Sequence, residues 1–567
     1  MIWKYRQPKT GAAKNMALGL NVPLKIGLFL AGRGFEAVED VKLFLSTDLK
    51  RLPGPETMPG MDKAVEVLLA ARKAGKTIAI SGDYDVDGLT ATALLQRVLE
   101  PLGFKIITRI PHRLEEGYGL SPEAVTEMAS QGADLIITVD SGVSDYEAVK
   151  VAAQLGLEVI ITDHHELPPE LPQAAAIINP HLGGGWESSP LAGVGVSFML
   201  AWAVRKACLE GKLIATEPAP LIDNLALVAL GTVADMVPLV GANRILVHHG
   251  LNFLLASQWP GLWALKKKLR LYNQERISVR DVGFKLAPRL NAAGRLGSAA
   301  PALEILITND VDQAEELARQ LDELNRQRYE TQNRLVEEAL EMLEHEIPIH
   351  SRTVVLAKEG WPRGVLGLVA SRVAEKSGRP TIMFTINDEA AVGSGRTVSG
   401  FNLFEALSRV RDFCLSMGGH SQAAGLKVAV DKLDAFRQAF EESAVKQSES
   451  ESEAELLVDL DVELSELSVL ARNFAQFEPY GQGHTSPVVV LKNIKVLNTL
   501  CRGSKLTLRV SDGIHRENLS GFNLASRLGE IGPIMDVAVS YEPDSGSSEV
   551  WRLIDFSNTM LEKNSDY

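Results

Sequence analysis

Three aspartates at alternate positions close a short apolar run early in the chain. The stretch reads Ile78-Ala-Ile-Ser-Gly-Asp83-Tyr-Asp85-Val-Asp87-Gly88, and its apolar part is typical of a buried strand, while the glycine is typical of a turn. Carboxylates held this close repel one another strongly unless a cation lies among them. The stretch therefore indicates a metal site that follows a strand.

The calcium loop of an EF-hand opens with the same pattern, but this alternative can be excluded. An EF-hand also requires a bidentate glutamate at loop position 12 and a helix on each side. Counted from Asp83, that position is Leu94, and the residues before Asp83 are strand-like. What remains is an oxygen-rich site at the carboxyl end of a strand, where open parallel α/β sheets bind their ligands.

Further apolar runs end in carboxylate or imidazole side chains. They are 134–139 before Asp140, 157–162 before Asp163-His164-His165, and 227–234 before Asp235. Such ends can converge on one crevice of a parallel sheet. Carboxylates and imidazoles without thiolates favour Mn²⁺ or Mg²⁺ over structural zinc. Several bridging carboxylates indicate two ions, the arrangement used for in-line attack on phosphoesters.

From Thr77 onward, strand and helix patterns alternate, which predicts a parallel sheet with helices on both faces. We expect helices at 61–73 and 90–99, one capped by Ser121 and one opened by Asp145, with strands at 77–82, 105–110, 134–139, 157–161 and 174–178. This arrangement puts Asp85, Asp87, Asp140 and His164 at the carboxyl ends of strands.

The second half of the chain predicts a connector and two further domains. Residues 312–346 carry a helical pattern without Gly or Pro, which is too long for an ordinary surface helix and indicates a link between domains. A coiled-coil seam is disfavoured because Arg328 and Thr331 interrupt its apolar stripe. Strand patterns at 353–356, 381–384 and 425–430 predict a second α/β domain. An acidic linker follows at 448–455. Beyond it, strand patterns at 487–496, 506–510 and 534–541 predict a small OB-type barrel.

The charge and the cysteines exclude several classes of protein. A formal net charge of −14 argues against binding of nucleic acid through overall positive charge. A local basic segment nevertheless runs from Lys266 to Arg295 and includes Arg276, Arg280 and Lys285, although a solvated face would look the same. No apolar run is long enough for a bilayer, and three scattered cysteines favour neither disulfides nor a zinc ribbon. We therefore expect a cytoplasmic protein that does not enter the membrane.

Seven motifs, in this order, resemble those of the DHH phosphoesterase superfamily and, within it, the RecJ-type single-strand-specific exonucleases. They are GDYDVDG (82–88), IPHRLEEGYG (110–119), VDSG (139–142), DHH (163–165), GTVADMVP (231–238), PRLNAAGRL (288–296) and GGHSQAAG (418–425). The resemblance implies an α/β fold in six parts: an N-terminal cap (1–55), a parallel-sheet DHH catalytic domain (56–250), a basic interdomain segment (251–311), a connecting helix (312–346), a smaller DHH-associated nucleotide-binding domain (347–447) and a C-terminal OB-like β-barrel (453–567).

The resemblance also assigns roles to residues. The ligands of two Mn²⁺ or Mg²⁺ ions are Asp85, Asp87, Asp140, His164 and Asp235, with Asp140 in the bridging position. His165 stabilises charge or donates a proton at the scissile phosphate, and Asp83 orients a ligand. The expected contacts to DNA and phosphate are Arg113, Tyr118, Arg289, Asn291, Arg295, Ser371, Arg372, Ser394, Arg396 and His420. Residues 371–372, 393–396 and 418–420 look like nucleotide-binding loops of the family, and the ring of Tyr118 is expected to stack on a base. Taken singly, an aspartate after a strand is as well explained as a helix N-cap, and a Gly-rich stretch as a simple turn.

The activity that the resemblance implies is metal-dependent hydrolysis of single-stranded DNA from 5′ to 3′, releasing 5′-mononucleotides, in DNA recombination and repair. A monomer is expected, with a RecQ-type helicase and a single-strand-binding protein as possible partners. Two alternatives remain: hydrolysis of short oligoribonucleotides, cyclic dinucleotides or pyrophosphate, and an inactive structural role in a replication assembly. The OB-like extension and the RLNAAGR motif argue against the first, and the retained carboxylates argue against the second.

Two positions depart from the pattern. Ser81 stands where many superfamily members have a metal-binding histidine, so that ligand is weaker here. Pro362 stands where the family typically has a histidine after Trp361, so an imidazole and an amide donor are missing from a substrate contact.

Overall fold

Two α/β units, a long connecting helix and a partly closed β-barrel make up the chain. The computed structural model describes residues 2–448, 455–543 and 550–558. The strands in these residues form four sheets.

The N-terminal segment packs on the C-terminal domain. It consists of β1 (Ile2–Tyr5), α1 (Thr10–Leu20), α2 (Leu24–Gly32) and α3 (Val38–Leu45). β1 pairs in parallel with the strand Glu455–Val458, and the ring of Phe29 lies 4.9 Å from that of Phe474. The N-terminal cap expected at 1–55 therefore shares its apolar core with the barrel, a long-range contact that local sequence patterns cannot reveal.

The first α/β unit contains a five-stranded sheet in the order β3-β2-β4-β5-β6, with all pairs parallel as predicted. Its elements are α4 (Met61–Ala74), β2 (Thr77–Gly82), α5 (Val86–Leu99), β3 (Lys105–Arg109), α6 (Pro122–Ser130), β4 (Leu135–Val139), α7 (Tyr146–Gln154), β5 (Glu158–Thr162), β6 (Ala176–Ile178), α8 (Gly193–Glu210), α9 (Leu225–Ala234) and α10 (Gly241–Ala256). The central strands β2 and β4 are almost wholly buried, which explains their uninterrupted apolar sequence.

The apolar run before Asp235 is a helix, although it resembles the strand endings upstream. Residues 225–233 form α9 and are all buried, because α9 packs against α5, α8 and α10. A helix buried on all sides is apolar around its whole circumference, so its periodicity does not distinguish it from a buried strand.

The connecting region is helical throughout most of its length. It contains α11 (Pro260–Lys268), α12 (Val279–Asp281), a π-helical turn (Val282–Leu286), α13 (Ala287–Leu296), α14 (Ala300–Ile307) and the expected connector α15 (Val311–Glu346). One member of the basic run has a structural role: buried Lys266 donates to the carbonyl oxygens of Leu255 and Ser257, each at 2.7 Å, and so closes the end of α10.

The second α/β unit has a mixed sheet in the order β10-β11-β9-β8-β7. Its elements are β7 (Val354–Glu359), α16 (Arg363–Ser377), β8 (Thr381–Asn387), β9 (Ala390–Arg396), α17 (Leu403–Ser408), β10 (Cys414–Gly419), β11 (Ala423–Ala429) and α18 (Leu433–Ser448). Of the stretches expected as loops, 393–396 belongs to β9, and Gly418 and Gly419 end β10, with His420 directly after it. Gly393 serves packing, since a Cβ there would lie 2.5 Å from Phe384 Cδ1.

The C-terminal domain is a barrel that closes through one strand. It comprises β12 (Glu455–Val458), β13 (Leu460–Asp461), α19 (Leu467–Phe474), β14 (Val488–Arg502), β15 (Lys505–Ser511), β16 (Arg516–Phe522), β17 (Ile534–Tyr541) and β18 (Trp551–Asn558). β17 pairs with both β14 and β18. Most of the acidic linker expected at 448–455 lies outside the described residues. Within the described part of the chain, no helix combines the length and the apolar composition needed to cross a bilayer.

A buried arginine fastens the barrel to the first α/β unit. The guanidinium of Arg244 on α10 donates to the carbonyl oxygens of Phe477, Glu478 and Pro479 at 2.8–2.9 Å and to that of Phe44 at 3.1 Å. Burial lowers the pKa of Arg244 to about 10. A buried guanidinium without such acceptors would lower the stability of the fold. These bonds therefore hold the barrel against the first α/β unit.

Candidate metal centre

Seven acidic and imidazole side chains meet at the carboxyl edge of the first sheet. Their potential ligand atoms form three overlapping groups, and within each group all atoms lie within 4.8 Å of one another: Asp83, Asp85 and Asp140; Asp87, His164 and Asp235; Asp140, His164 and His165. The structure thus brings together all five expected ligands and both expected catalytic residues. Asp140 belongs to two groups, which is the location that a bridging ligand requires.

Strand register explains the meeting of the aspartates. Gly82 pairs with Val139, and Val139 pairs with Thr162. The next residues in each strand are Asp83, Asp140 and Asp163, which therefore emerge side by side from three adjacent strands.

Asp85 also caps the helix that follows it. Its Oδ1 accepts hydrogen bonds from the amides of Asp87 at 2.9 Å and Gly88 at 3.1 Å, at the start of α5. The N-cap interpretation of a single aspartate therefore describes Asp85 correctly, and the cap uses Oδ1 alone. Capping and membership of the metal centre are compatible in this residue.

Asp87 is held by a helix that the sequence analysis did not connect with the site. The amides of Gly193 and Val194, at the beginning of α8, donate to its Oδ2 and Oδ1 at 2.6 and 2.9 Å. A Cβ at Gly193 would lie 2.7 Å from Asp140 Cβ, so glycine permits this approach. The positive end of α8 thereby stabilises a fully buried carboxylate.

His164 faces the carboxylates with one ring nitrogen. Its Nε2 lies 3.0 Å from Asp140 Oδ1 and 3.6 Å from Asp235 Oδ2. Burial, with the charge on neighbouring His165, lowers the pKa of His164 to about 3. The imidazole is therefore neutral at physiological pH, the form in which histidine binds metals.

His165 has the opposite electrostatic character. Its Nδ1 lies 2.8 Å from Asp163 Oδ1. Burial alone would lower the pKa of His165, but the hydrogen bond to Asp163 and the surrounding carboxylates raise it to about 9. His165 is thus a cation at neutral pH, and the two adjacent histidines have different protonation states because their surroundings differ.

Asp163 and Tyr118 position His165. Asp163 Oδ1 accepts from the amides of His164 and His165 at 2.7 and 3.1 Å, which fixes the carboxylate beside the ring. The Tyr118 hydroxyl donates to the carbonyl oxygen of Asp140 at 2.9 Å and lies 3.0 Å from His165 Nδ1. Asp163 was absent from the expected site residues although it begins the DHH motif. The hydroxyl of Tyr118 is thus engaged at the metal centre, while the residue is 51% exposed, so its expected contact with DNA stays a prediction.

The donor atoms fit divalent cations. Within the described residues, Asp83 Oδ1, Asp140 Oδ1 and His164 Nε2 are buried without a hydrogen-bond partner. Burial and mutual repulsion raise the pKa values of Asp83, Asp87 and Asp140, and burial with the charge of Asp85 raises that of Asp235 to about 7. Unpaired carboxylate oxygens beside a neutral imidazole, without thiolate, suit Mn²⁺ or Mg²⁺.

We expect the metal-free protein to lose stability as the pH rises through about 7, and Mn²⁺ to restore it. The pKa of Asp235 is about 7 in the folded protein but ~3.9 in an unfolded chain. Between those values the folded state holds a proton that the unfolded state has released, so by linkage the free energy of unfolding falls as pH rises.

The measurement is thermal unfolding of protein treated with chelator, at about pH 5.5 and about pH 8, with and without Mn²⁺. The gain in Tm from the metal should be several degrees larger at the higher pH, since ~1 kcal/mol corresponds to about 2–4 °C in a domain of this size. An equal gain at both pH values would contradict the ionisation of the carboxylates on which the expectation depends.

Four arginines gather beside the acidic centre. They are Arg113 in the loop after β3, Arg295 on α13, Arg328 on α15 and Arg396 on β9. Burial, together with the charges of the other three, lowers the pKa of Arg295 to about 9. The guanidinium of Arg113 lies over the Tyr84 ring at 4.5 Å. A group of like charges drawn from three parts of the chain is a site for anions such as phosphate.

The remaining expected DNA contacts divide into two groups. Arg289 pairs with Asp322 on α15 at 2.9 Å, and Asn291 has a buried Oδ1 that lacks a partner within the described residues. Ser394 accepts a hydrogen bond from Arg396 at 3.0 Å and so belongs to the arginine group.

The second group consists of Ser371, Arg372 and His420. Ser371 donates to the Gly367 carbonyl oxygen within α16 at 3.0 Å, Arg372 pairs with Glu375 at 3.3 Å, and His420 is exposed after β10. Ser371 and Arg372 therefore lie on a helix, which corrects their expected location in a loop. Arg328 was not among the expected site residues. Its interruption of the apolar stripe on α15 is the sequence feature that could have identified it.

A cavity of 1230 Å³ extends from Arg295 and Arg328, which lie beside this centre, to the barrel. Its wall includes the turn after α9, one face of the 279–296 helical region, part of α15 and the barrel residues Glu478, Tyr480, Glu542 and Arg552. Arg295, Arg328 and the barrel therefore border the same space, whereas none of the seven residues of the metal centre lines it.

Comparison with family models identifies three domains. The N-terminal domain of the DHH family matches residues 77–232, the DHHA1 domain matches 350–446, and the RecJ OB domain matches 458–547. These matches confirm the expected fold class: a parallel-sheet domain, a smaller DHH-associated domain and an OB-like barrel.

Proteins of known function resemble most of the chain. The single-stranded-DNA-specific exonuclease RecJ of Escherichia coli (strain K12) is 36% identical over 558 residues, which cover 93% of this chain and 94% of that protein. RecJ of Bacillus subtilis (strain 168) is 37% identical over 507 residues, 87% of this chain, and the chain spans only 62% of that protein's length.

Solved structures agree in fold. RecJ from Thermus thermophilus in complex with Mn²⁺ matches with a TM-score of 0.83 and 29% identity, covering 98% of this chain and 79% of that one. Its complex with Mg²⁺ matches with a TM-score of 0.77 and 28% identity, covering 98% and 78% of the two chains.

Proposed function

Because this chain belongs to the RecJ family of single-stranded-DNA-specific exonucleases, we propose that it degrades single-stranded DNA from 5′ to 3′ and releases 5′-mononucleotides, as a nuclease of recombination and repair. The observation that carries this proposal is a metal centre beside four arginines, two of which line a cavity that extends to an OB domain. The centre supports hydrolysis, the arginines support binding of the DNA backbone, and the OB domain supports binding of a single strand.

Asp85, Asp87, Asp140, His164 and Asp235 would hold two Mn²⁺ or Mg²⁺ ions. Bound there, the ions would lower the pKa of the attacking water and neutralise charge that develops on the phosphate. A weaker ligand at Ser81 leaves one ion with fewer protein donors than in many superfamily members.

The protein's own residues bind the strand and manage the proton. Arg113, Arg295 and Arg396 place cationic groups beside the carboxylates, where they would hold backbone phosphates. His165, kept protonated by Asp163, would donate a proton or a hydrogen bond to the phosphate or the departing 3′ oxygen. Tyr118 keeps the His165 ring in place through contact with its Nδ1.

The location of the cavity supports selectivity for a single strand. The space lies between parts that are tied together, because α15 links the α/β units and Arg244 joins the barrel to the first of them. A thin strand whose bases are unpaired can enter such a space and stack there, whereas a duplex is wider and its bases are already stacked.

The test is digestion of internally labelled single-stranded DNA whose 5′ or 3′ end is blocked, in Mn²⁺ and in Mg²⁺, beside matched duplex. We expect mononucleotides only when the 5′ end is free, and little release from duplex. Digestion only from a free 3′ end would overturn the direction. An untouched strand together with cleavage of a dinucleotide or pyrophosphate would overturn the substrate.

We further propose that the protein acts as a monomer in the cytoplasm, with a RecQ-type helicase and a single-strand-binding protein as partners. The monomer is supported by the metal centre, whose seven residues all come from one chain. A helicase would supply the single strand that the cavity requires. Sedimentation at micromolar concentration would test the monomer, and stimulation of digestion by a helicase on duplex DNA would test the partnership.

A further inference from the structure

The loop at 110–119, which follows β3, reaches the metal centre near its end. There the Tyr118 hydroxyl donates to the carbonyl oxygen of Asp140 at 2.9 Å and lies 3.0 Å from His165 Nδ1. A proton donor has to lie within ~2.6–3.2 Å of the atom that it serves. The position of this loop therefore bears on the rate of hydrolysis, because it sets where the hydroxyl meets the His165 ring.

Contacts within the first α/β unit hold the loop near both of its ends. Arg109 on β3 pairs with Glu116. Beyond the loop, the Leu120 amide donates to Asp145 Oδ2 at 2.6 Å. Leu114 lies inside the span that the pair of Arg109 and Glu116 closes, four positions before Tyr118.

The middle of the loop is held from the second α/β unit. Arg363, the first residue of α16, donates from Nη1 to the Leu114 carbonyl oxygen at 2.9 Å. This hydrogen bond joins two residues that are 249 positions apart in the chain. A charged donor makes a stronger hydrogen bond than a neutral one. The second α/β unit thus contacts the backbone of the loop that carries Tyr118.

Arg363 extends from a closely packed segment. The neighbouring Trp361 is buried and donates from Nε1 to Glu338 on α15 at 3.2 Å. On the other side, a Cβ at Gly364 would lie 1.9 Å from the carbonyl oxygen of Arg295 on α13, and the Gly364 carbonyl oxygen accepts from Arg295 Nη1 at 3.2 Å. Because this segment packs against two helices, it provides a fixed base for the guanidinium.

The stability of α16 does not explain an arginine at this position. Arg363 opens the helix, and the positive end of a helix dipole disfavours a cation. Pro362, at the N-cap, offers neither an amide donor nor the imidazole that the family typically has there. A cation at an unfavourable position, bonded to the backbone of another domain, points to a role outside its own helix.

We propose that Arg363 is a positioning residue for His165. It holds the middle of the 110–119 loop, the loop places the Tyr118 hydroxyl, and the hydroxyl keeps the His165 ring beside Asp163. Packing of the DHHA1 domain on the DHH domain thereby completes the alignment of the proton donor. This inference deepens the proposed function and rests on it for the step that His165 performs.

Arg363→Ala should lower kcat about tenfold and leave KM unchanged. A small displacement of a catalytic group by a change outside the site can slow the chemistry by up to ~10²-fold, whereas the metal centre and the arginines that bind the strand are untouched. The probe is a 5′-phosphorylated oligothymidylate of about 30 nucleotides, longer than the ~4–16 that one OB domain covers. Arg363→Lys should retain most of kcat, because an ammonium group can donate to the same carbonyl oxygen.

A double-mutant cycle tests the route through the loop. Tyr118→Phe keeps the ring, removes the hydroxyl and should itself lower kcat about tenfold. Independent effects would multiply to about a hundredfold in the double variant. If Arg363 acts through the hydroxyl, adding Arg363→Ala to Tyr118→Phe should instead lower kcat by less than about twofold. In a His165→Gln background, Arg363→Ala should likewise have little effect.

Arg409→Ala is the matched control in the same α/β unit. Arg409 follows α17 and forms an exposed ion pair with Glu405 at 2.7 Å, so its loss should change neither kcat nor KM. Calorimetry should show that Arg363→Ala binds Mn²⁺ like the parent, and thermal unfolding checks that each variant is folded.

The outcomes separate this inference from the function on which it rests. A raised KM with unchanged kcat would make Arg363 a contact of the strand and overturn the proposal, as would an unchanged kcat or a loss that multiplies with that of Tyr118→Phe. The same cycle is run on a 5′-phosphorylated thymidine dinucleotide. If the parent cleaves only this probe, the proposed substrate is wrong, but a non-additive loss of kcat that lysine rescues still supports Arg363 as a positioning residue.

Discussion

Asp140→Asn is expected to abolish hydrolysis and, at the same time, to stabilise the metal-free protein. The substitution removes a carboxylate shared by two of the ligand groups. Loss of a metal's charge stabilisation corresponds to several kcal/mol, so we expect kcat/KM to fall by about a thousandfold or more. Mn²⁺ binding, measured by calorimetry, should weaken in parallel.

The gain in stability has a separate cause. Asp140 is buried among other carboxylates, which raise its pKa, and a neutral amide avoids that repulsion. The residue has a φ of 60°, and asparagine tolerates the left-handed region better than most residues. Its amide could also donate to His164 Nε2, which lies 3.0 Å from Asp140 Oδ1. In chelator, Tm should therefore rise by a few degrees.

Asp134→Asn is the matched control. Asp134 precedes the same strand, β4, and accepts a hydrogen bond from the Thr77 amide at 2.8 Å, a bond that asparagine preserves. This variant should retain the activity and the metal affinity of the parent. Retention of a tenth or more of the parent's activity by Asp140→Asn, or a lower Tm in chelator, would argue against the role given to Asp140.

His165→Gln is expected to lower kcat by about 10²–10⁴-fold, the usual contribution of a positioned proton donor, while metal binding persists. Glutamine can form hydrogen bonds but cannot carry the proton. His350, exposed before β7, offers the control His350→Gln, which should leave kcat unchanged. An equal loss of metal affinity and of kcat in His165→Gln would indicate a ligand rather than a proton donor.

Asp163→Asn should act on the same step through the pKa of His165. The protonated imidazole is the working form, so activity is lost as the pH rises through its pKa, which is about 9 without metal and lower with cations nearby. Without the Asp163 carboxylate this pKa falls further, and the alkaline limb of the kcat profile should move to lower pH. An unmoved limb would mean that another group sets it.

The metal centre could be predicted largely because its residues follow strands. A parallel sheet aligns strand ends, so local patterns around Asp83, Asp140 and Asp163 are enough to bring them together. The run before Asp235 was harder, because a helix buried on all sides has the same uniform apolar sequence as a buried strand. Asp235 lies at the metal centre, but it follows the helix α9 and not a strand.

Contacts between distant segments could not be predicted in the same way. The amides of Gly193 and Val194 that hold Asp87 depend on how α8 packs, and Arg328 joins the other arginines only when α15 has linked the two α/β units. The glycines at 393–396 indicated a loop, because glycine usually signals a turn. They lie in the strand β9, where Gly393 allows the strand to approach Phe384 closely. Sequence patterns report local geometry, and these features arise from tertiary packing.

The pairing of β1 with β12 has a consequence for how the protein is made. Ile2 is synthesised about 450 residues before its partner Glu455, and chain elongation at ~5–20 residues per second makes that interval roughly 20 to 90 seconds. During this time α1 and α2 can pack on each other but lack the barrel residues that complete their core, while the DHH domain already has its whole sheet. The segment that carries β1, α1 and α2 is therefore made before the DHH domain but completes its packing after it, and until the barrel emerges its apolar surface is open to binding by a chaperone.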